Sequence, residues 1–385
     1  MGQPEPGEKR ASTPRIEQLD ALRGLAALSV VFYHHFQVYP LIANAIVLGA
    51  SFPESLLFWP PVFLFWSGHS AVLLFFALSG YVLMLPVLQK RQPDYPHYVL
   101  KRICRIYLPY LPAVIVPIML VRLLAPQPIP ELGWWFKLSW AALPDRWDLL
   151  NHILMLPKPN TQIYNGVVWS LVHEMRISIV FPFLAALVVR LRWWQNVVLA
   201  MFLALPGGFA PVILSNKIVT YYALSLHYAG VFVVGGVLAK HRTQISLWLR
   251  TKSTGFRCLL LAVGVLLYTS YGLDVTVRNG RWHHQFEYLI TIGSLILIVY
   301  ANSTEWLKRE SLAWLGRISY SLYLWHLPVL LAVVRFGYGK MPLWSLLLIS
   351  IVIGLLIAWL MYLAIEKPST RLAKRIGRTG VVTIV

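Results

Sequence analysis

Residues 343–365, LWSLLLISIVIGLLIAWLMYLAI, run for 23 positions without one charged side chain. As a helix rising about 1.5 Å per residue, such a run is about 34 Å long, enough to cross a hydrocarbon core of roughly 30 Å. Comparable stretches of about 18–22 apolar residues recur along nearly the whole chain. Apolar residues make up 58% of the 385, with mean hydropathy +0.63, well above the roughly 45–50% of soluble domains. The pattern predicts helices over about 21–39, 66–88, 103–124, 166–189, 197–214, 221–239, 258–273, 286–302, 317–335 and 343–365. The expected fold is an all-α integral membrane domain of about ten transmembrane helices, because only internally hydrogen-bonded segments are stable in lipid.

A net charge of +19 is compatible with nucleic-acid binding, so the placement of the cations decides. They sit in loops. About 22 of the 34 Lys and Arg fall in alternate links holding Lys90, Arg91, Lys101, Arg190, Arg192, Lys240, Arg242, Arg250, Lys252, Arg257, Lys308 and Arg309, against about 8 in the opposite loops. This asymmetry orients both termini toward the cytoplasm and leaves no role for a nucleic-acid partner. The expected organisation is a polar cytoplasmic segment 1–15, a membrane domain 16–372 and a basic tail 373–385. The first apolar run lacks a small-residue cleavage site and reads as an uncleaved helix. Cys104 and Cys258 imply no disulfide framework. The aromatic-rich loop 125–165, with Trp134, Trp135, Phe136, Trp140 and Trp147, suits an amphipathic segment in the interface.

Ionisable groups inside such helices are costly and mark candidate sites. Arg23 and His34 are eleven residues apart, three helical turns plus roughly 20°, so they share a face about 16 Å apart. Arg23 also fits a juxtamembrane anchor paired with Asp20, and His34 a helix-packing hydrogen bond; their shared face weakens both bland readings. Arg102 and Arg105 lie one turn apart, where phosphate recognition and positive-inside anchoring explain them equally well. In the fourth run, Ser170 and Glu174 share a face beside His173, and Glu174 also fits a buried pairing with Arg176. Tyr320, Tyr323 and His326 form a stripe that reads as helix–helix glue or as part of a site. No ligand spacing for a metal occurs.

Taken together, these residues resemble the acyltransferase 3 family of membrane proteins. Leu19 to Ala26 running to His34 resembles the family's Arg/Lys, ten residues, His signature. Phe75-Phe76-Ala77-Leu78-Ser79-Gly80 resembles its second-helix stretch, and Arg102-Ile103-Cys104-Arg105 its Arg-x-x-Arg pair. Trp169-Ser170-Leu171 with Glu174, Ile318 to Pro328, and Glu366-Lys367-Pro368 complete a series in family order over about residues 15–372. The resemblance implies a ten-helix domain in the bacterial inner membrane. It would move an acyl group, commonly acetyl, from cytoplasmic acyl-CoA to a hydroxyl of an extracytoplasmic glycan such as exopolysaccharide or O-antigen, with acyl-CoA as a substrate and no permanently bound cofactor. Two departures stand out. His173, Met175 and Arg176 occupy positions where many members carry Val, a second Glu and Gln, and no appended hydrolase-like domain accompanies the membrane domain.

On this reading His34 is the expected base and Glu174 its supporting carboxylate. Arg102 and Arg105 would hold the CoA phosphates, Arg23 would meet the donor further in, and Ser170, Tyr320, Tyr323 and His326 would contact substrate. A glycan or lipid transporter is the alternative, since it too needs many helices and buried charge. A glycosyltransferase is disfavoured because the loop 40–65 offers only Glu54.

Overall fold

The computed structural model describes residues 16–124, 127–143, 145–156, 162–277 and 283–379. The expected polar segment 1–15 and the last residues of the tail lie outside these. The chain opens with α1 (Glu17–Phe36) and α2 (Pro40–Leu48), followed by two 3₁₀ turns, α3 (Gly68–Leu88), α4 (Tyr95–Arg102) and α5 (Leu108–Leu124). Three short helices come next, α6 (Trp134–Leu138), α7 (Arg146–Ile153) and α8 (Gln162–Asn165). The second half comprises α9 (Val168–Arg190), α10 (Trp193–Ile213), α11 (Lys217–Arg250), α12 (Thr254–Tyr268), α13 (Tyr271–Val277) and α14 (His283–Ala301). It ends with α15 (Glu310–Gly337), α16 (Leu343–Met361) and α17 (Lys367–Thr379). No β-strand occurs among the described residues.

Among the described residues seven helical runs are long and apolar enough to cross a membrane, and an eighth joins them if α1 and α2, bent by 103° at their junction, form one broken span. Each of the ten apolar runs read from the sequence lies largely within a helix. The boundaries differ for local reasons. α1 starts earlier than expected because Glu17 and Asp20 occupy its first turn, where carboxylates complement the helix dipole. It stops at Phe36 because Pro40 opens α2 as its first residue. α11, with 34 residues, spans about 51 Å and carries Lys240 and Arg242, expected in a loop, within the helix. α12, with 15 residues, covers only about 22 Å.

Two π-helical stretches interrupt long runs: Ile103–Tyr107 joins α4 to α5, and Tyr362–Glu366 joins α16 to α17. Such bulges re-aim the side chains around them. The first holds Arg105 and immediately follows Arg102. The second leads into a helix where a basic tail was expected, so α17 passes through the 372/373 boundary without a break.

α1 and α15 run parallel in close contact. A Cβ at Gly24 would lie 2.7 Å from the Gly316 nitrogen, so the backbones meet where neither carries a side chain. α3 and α11 also approach closely, but antiparallel, with Gly80 against the Phe232 backbone and Gly235 against that of Ala77. One face of the bundle, where α1 begins, gathers Arg23, Lys101, Arg102, Arg105 and Lys374 and is the basic face. The opposite face carries α2, α6 and α13.

The loop between α5 and α9 is not wholly interfacial, which corrects the expectation for part of it. Tyr107 and Tyr110 donate hydrogen bonds to the carbonyls of Ile153 and His152 (2.6 and 2.8 Å). Those tyrosines lie about 26 and 21 Å of helix rise from Leu124, so α7 folds back along the third span. The reason is polar: Asp148 and His152 are buried, Asp145 and Asp148 form a capping box, and Tyr164 donates to Asp148 (3.3 Å). Burial and the adjacent Asp148 carboxylate push the Tyr164 hydroxyl well above its ordinary pKa.

Candidate functional site

Ten residues beyond the Gly24–Gly316 crossing on each helix, α1 carries His34 and α15 carries His326. The parallel packing brings them together: His34 Nδ1 lies 3.0 Å from His326 Nε2. Their tautomers follow from the neighbours. His326 Nδ1 is 2.9 Å from the Leu322 carbonyl, which can only accept, so this nitrogen carries the hydrogen and a neutral His326 presents a bare Nε2. His34 Nδ1 then donates toward His326 Nε2 and toward the Val30 carbonyl at 3.1 Å. Among the described residues none hydrogen-bonds to His34 Nε2, whose lone pair stays open. His326 is 1% exposed, whereas His34 is half-buried. The neighbouring His35 is spent structurally, with Nδ1 on the Val31 carbonyl (2.7 Å) and Nε2 at the Ser350 hydroxyl (2.7 Å).

The cover over this pair comes from the loop. Trp135 stands edge-on to His34 with ring centroids 5.7 Å apart, and its Nε1 donates to the Gln37 carbonyl (2.8 Å). Trp134 donates to Ala43, the Gly133 amide to Val38, and the Arg335 guanidinium to the carbonyls of Phe136 and Ser139. Trp135 thus reaches the site itself, beyond the anchoring role its sequence suggests.

Beneath the histidines, toward the basic face, the Tyr323 hydroxyl meets the Ser170 hydroxyl at 2.7 Å, and both donate to or approach the Val167 carbonyl (3.1 and 3.2 Å). Ser170, Tyr323 and His326 are all buried. The polar atoms of these three, expected from the sequence to contact substrate, pair with one another, with His34 and with backbone, and they join α9, α15 and α1. Tyr320 is less buried and donates to the Ile106 carbonyl (2.8 Å) beside the π-helical stretch.

Glu174 is one turn beyond Ser170 and accepts a hydrogen bond from Ser79 (3.0 Å). From His326 back to Tyr323 is about 4.5 Å of rise, and from Ser170 on to Glu174 about 6 Å, so the carboxylate sits about 10 Å below the histidine pair. The expected direct contact between Glu174 and His34 is not formed; the partner of His34 is His326. Glu174 instead lies within electrostatic range of Arg102.

Arg102 is 9% exposed, stacks over the Tyr98 ring at 5.8 Å and has a buried Nε without a hydrogen-bond partner. Arg105 and Arg23 lie within electrostatic range of it. Arg105 is exposed, and Arg23 approaches Asp20 at 4.0 Å. A polar column therefore runs from Arg102 through Glu174–Ser79 and Ser170–Tyr323 to His326–His34.

A second polar group was not foreseen. Glu287, fully buried in α14, receives His69 Nε2 at 2.8 Å, His284 Nδ1 at 3.1 Å and His227 Nε2 at 2.7 Å. His227 Nδ1 donates to the Ala204 carbonyl (2.9 Å), so its contact with the carboxylate needs a shared proton and the pair is neutral as a whole. Only the i,i+3 spacing of His284 and Glu287 signalled this group; His69 and His227 come from distant runs. Among the described residues no group of three or more His, Cys, Asp or Glu has a geometry that could hold a metal ion.

The family model for an acyltransferase domain, that of acyltransferase 3, matches residues 16–363. No curated protein and no solved structure matches the chain.

Proposed function

Because the chain belongs to the acyltransferase 3 family, we propose that this multi-pass membrane acyltransferase is an acyl-CoA-dependent O-acyltransferase. The donor would be acetyl-CoA or another acyl-CoA entering from the basic, cytoplasmic face. The acceptor would be a hydroxyl of an extracytoplasmic glycan, and the membrane a bacterial inner membrane. The observation that carries the reading is the open Nε2 of His34, held by a partner that accepts from its other nitrogen, at the far end of a polar column rooted in arginines.

In the proposed reaction the acceptor hydroxyl attacks the thioester carbonyl as His34 Nε2 takes its proton. Collapse of the tetrahedral intermediate breaks the carbon–sulfur bond, and the thiolate recovers the proton from His34, releasing CoA and the ester. His326 Nε2 accepts from His34 Nδ1 throughout and so favours the developing imidazolium, a positioning role like that of the carboxylate in a serine-protease triad. Arg102 and Arg105 bind the donor's phosphates, for which paired guanidinium groups are suited. Arg23 meets the donor deeper along α1. Glu174 offsets the charge of Arg102 and, through Ser79, lines the column along which the donor arm extends. Tyr320 borders the same passage.

Purified protein in nanodiscs with labelled acetyl-CoA and an isolated envelope glycan tests this. Label should pass to the glycan as an alkali-labile ester, with one thiol released per ester, and His34→Ala should stop both. Full turnover in that variant removes the assignment of the base. Glycan translocation without acyl-CoA in sealed liposomes would instead make the protein a transporter.

A further inference from the structure

The family match stops at residue 363, yet the chain continues into α17, which packs against α4 and against the π-helical stretch that holds Arg105. α17 is strongly amphipathic. Ser369 and Ala373 are buried against the domain, while Arg371, Lys374 and Arg375 are exposed. The packing brings Lys374 into electrostatic range of Lys101, which also senses Arg102 and Arg105.

Among the described residues none of these four cations lies within 4.0 Å of a carboxylate. Of the nearby acids, Glu174 offsets one positive charge, that of Arg102, while Asp94 holds His97 at 2.6 Å and Glu366 accepts from the Ser321 hydroxyl at 2.6 Å, so most of the positive charge is left over. One of the four, Arg102, is a guanidinium more than nine-tenths buried with an orphaned Nε. Gathering like charges at one mouth, one of them desolvated, is unfavourable unless an anion of matching charge offsets it.

Resting on the donor reading above, we propose that α17 completes the donor site. Arg102 and Arg105 take the diphosphate of the nucleotide, and Lys374 with Lys101 takes its separate 3′-phosphate. The geometry divides the labour. Arg102 is buried in the helix bundle, from which the donor arm must extend, with Arg105 one turn on, whereas Lys374 stands exposed on an outer helix, where a terminal nucleotide would rest. A phosphate carried by a lipid headgroup has the same charge chemistry and is the competing source.

The test uses the full chain in nanodiscs of phosphatidylcholine, with and without phosphatidylglycerol, and CoA and 3′-dephospho-CoA as probes. Wild-type protein should bind CoA about tenfold more tightly than dephospho-CoA in both lipids, as expected for one charge-assisted contact. Lys374→Ala and Lys374→Glu, at an exposed position, should keep the thermal midpoint. They should weaken CoA binding about tenfold and leave dephospho-CoA binding unchanged. Equal weakening of both probes, or no change in either, overturns the assignment, as does an effect seen only with phosphatidylglycerol. Wild-type protein that transfers acyl groups yet ignores the 3′-phosphate overturns this inference alone. Wild-type protein that binds neither probe overturns the donor reading beneath it.

Discussion

Two groups of histidines occupy the half of the domain away from the basic face, and they differ in how their nitrogens are spent. Around Glu287 three imidazoles converge on one buried carboxylate from α3, α11 and α14. At α1 and α15 two imidazoles meet each other, the inner one is fixed by backbone, and the outer one keeps a nitrogen open. The same side chain serves as a tie in one place and as a reagent in the other. The partner makes the difference, since a buried carboxylate shared by three rings ties their helices together, whereas a ring with one nitrogen unspent can exchange a proton.

The contrast breaks most decisively through His34→Ala. Transfer should fall about 1000-fold or more while the unfolding midpoint holds; a collapse of the midpoint would make His34 a tie as well. Glu287→Ala should do the reverse. It strands three imidazoles in a buried site and should cost about 3–5 kcal/mol of stability, read as a lower thermal midpoint, with the turnover of folded protein little altered. Loss of turnover at full stability would move Glu287 into the chemistry.

Smaller effects sharpen the comparison. His326→Ala should lower kcat about 10- to 100-fold, as removal of imidazole-orienting partners does elsewhere, and leave KM for acyl-CoA unchanged. His326→Gln, which retains an acceptor, should recover part of that loss; a shifted KM without loss of kcat would return His326 to substrate binding. Trp135→Ala should cost about threefold in kcat, the scale of one aromatic edge contact. An effect as large as that of His34→Ala would mean that the loop takes part in the reaction.

How much of this could be read in the chain varies with the range of the interactions. The helices were legible because transmembrane burial writes itself into local composition, and the register of Arg23 with His34 because α1 is continuous across both. Partnerships between helices were not. Nothing near His34 names His326, 292 residues later, and the carboxylate assigned to it from the sequence turned out to lie at another level of the column. His69 and His227 are lone imidazoles in separate apolar runs, and only packing gives them Glu287 in common. Loop depth was equally illegible, since α7 has an interfacial composition and yet hydrogen-bonds to Tyr107 and Tyr110. The basic stretch after Glu366 reads as a tail until its contact with α4 is seen.

The contact of Gly24 with Gly316 acts as the fulcrum of a pair of tongs whose tips are His34 and His326. Each arm is ten residues, about 15 Å of helix, so a splay of only about 4° parts the tips by about 1 Å. A methyl group at Gly24 would meet Gly316 nitrogen at 2.7 Å and Leu315 side-chain and backbone carbons at 2.9 Å, forcing such a splay. The accuracy of the imidazole pair is therefore set where no functional group exists, and the smallest residue in α1 governs the alignment of its most reactive one.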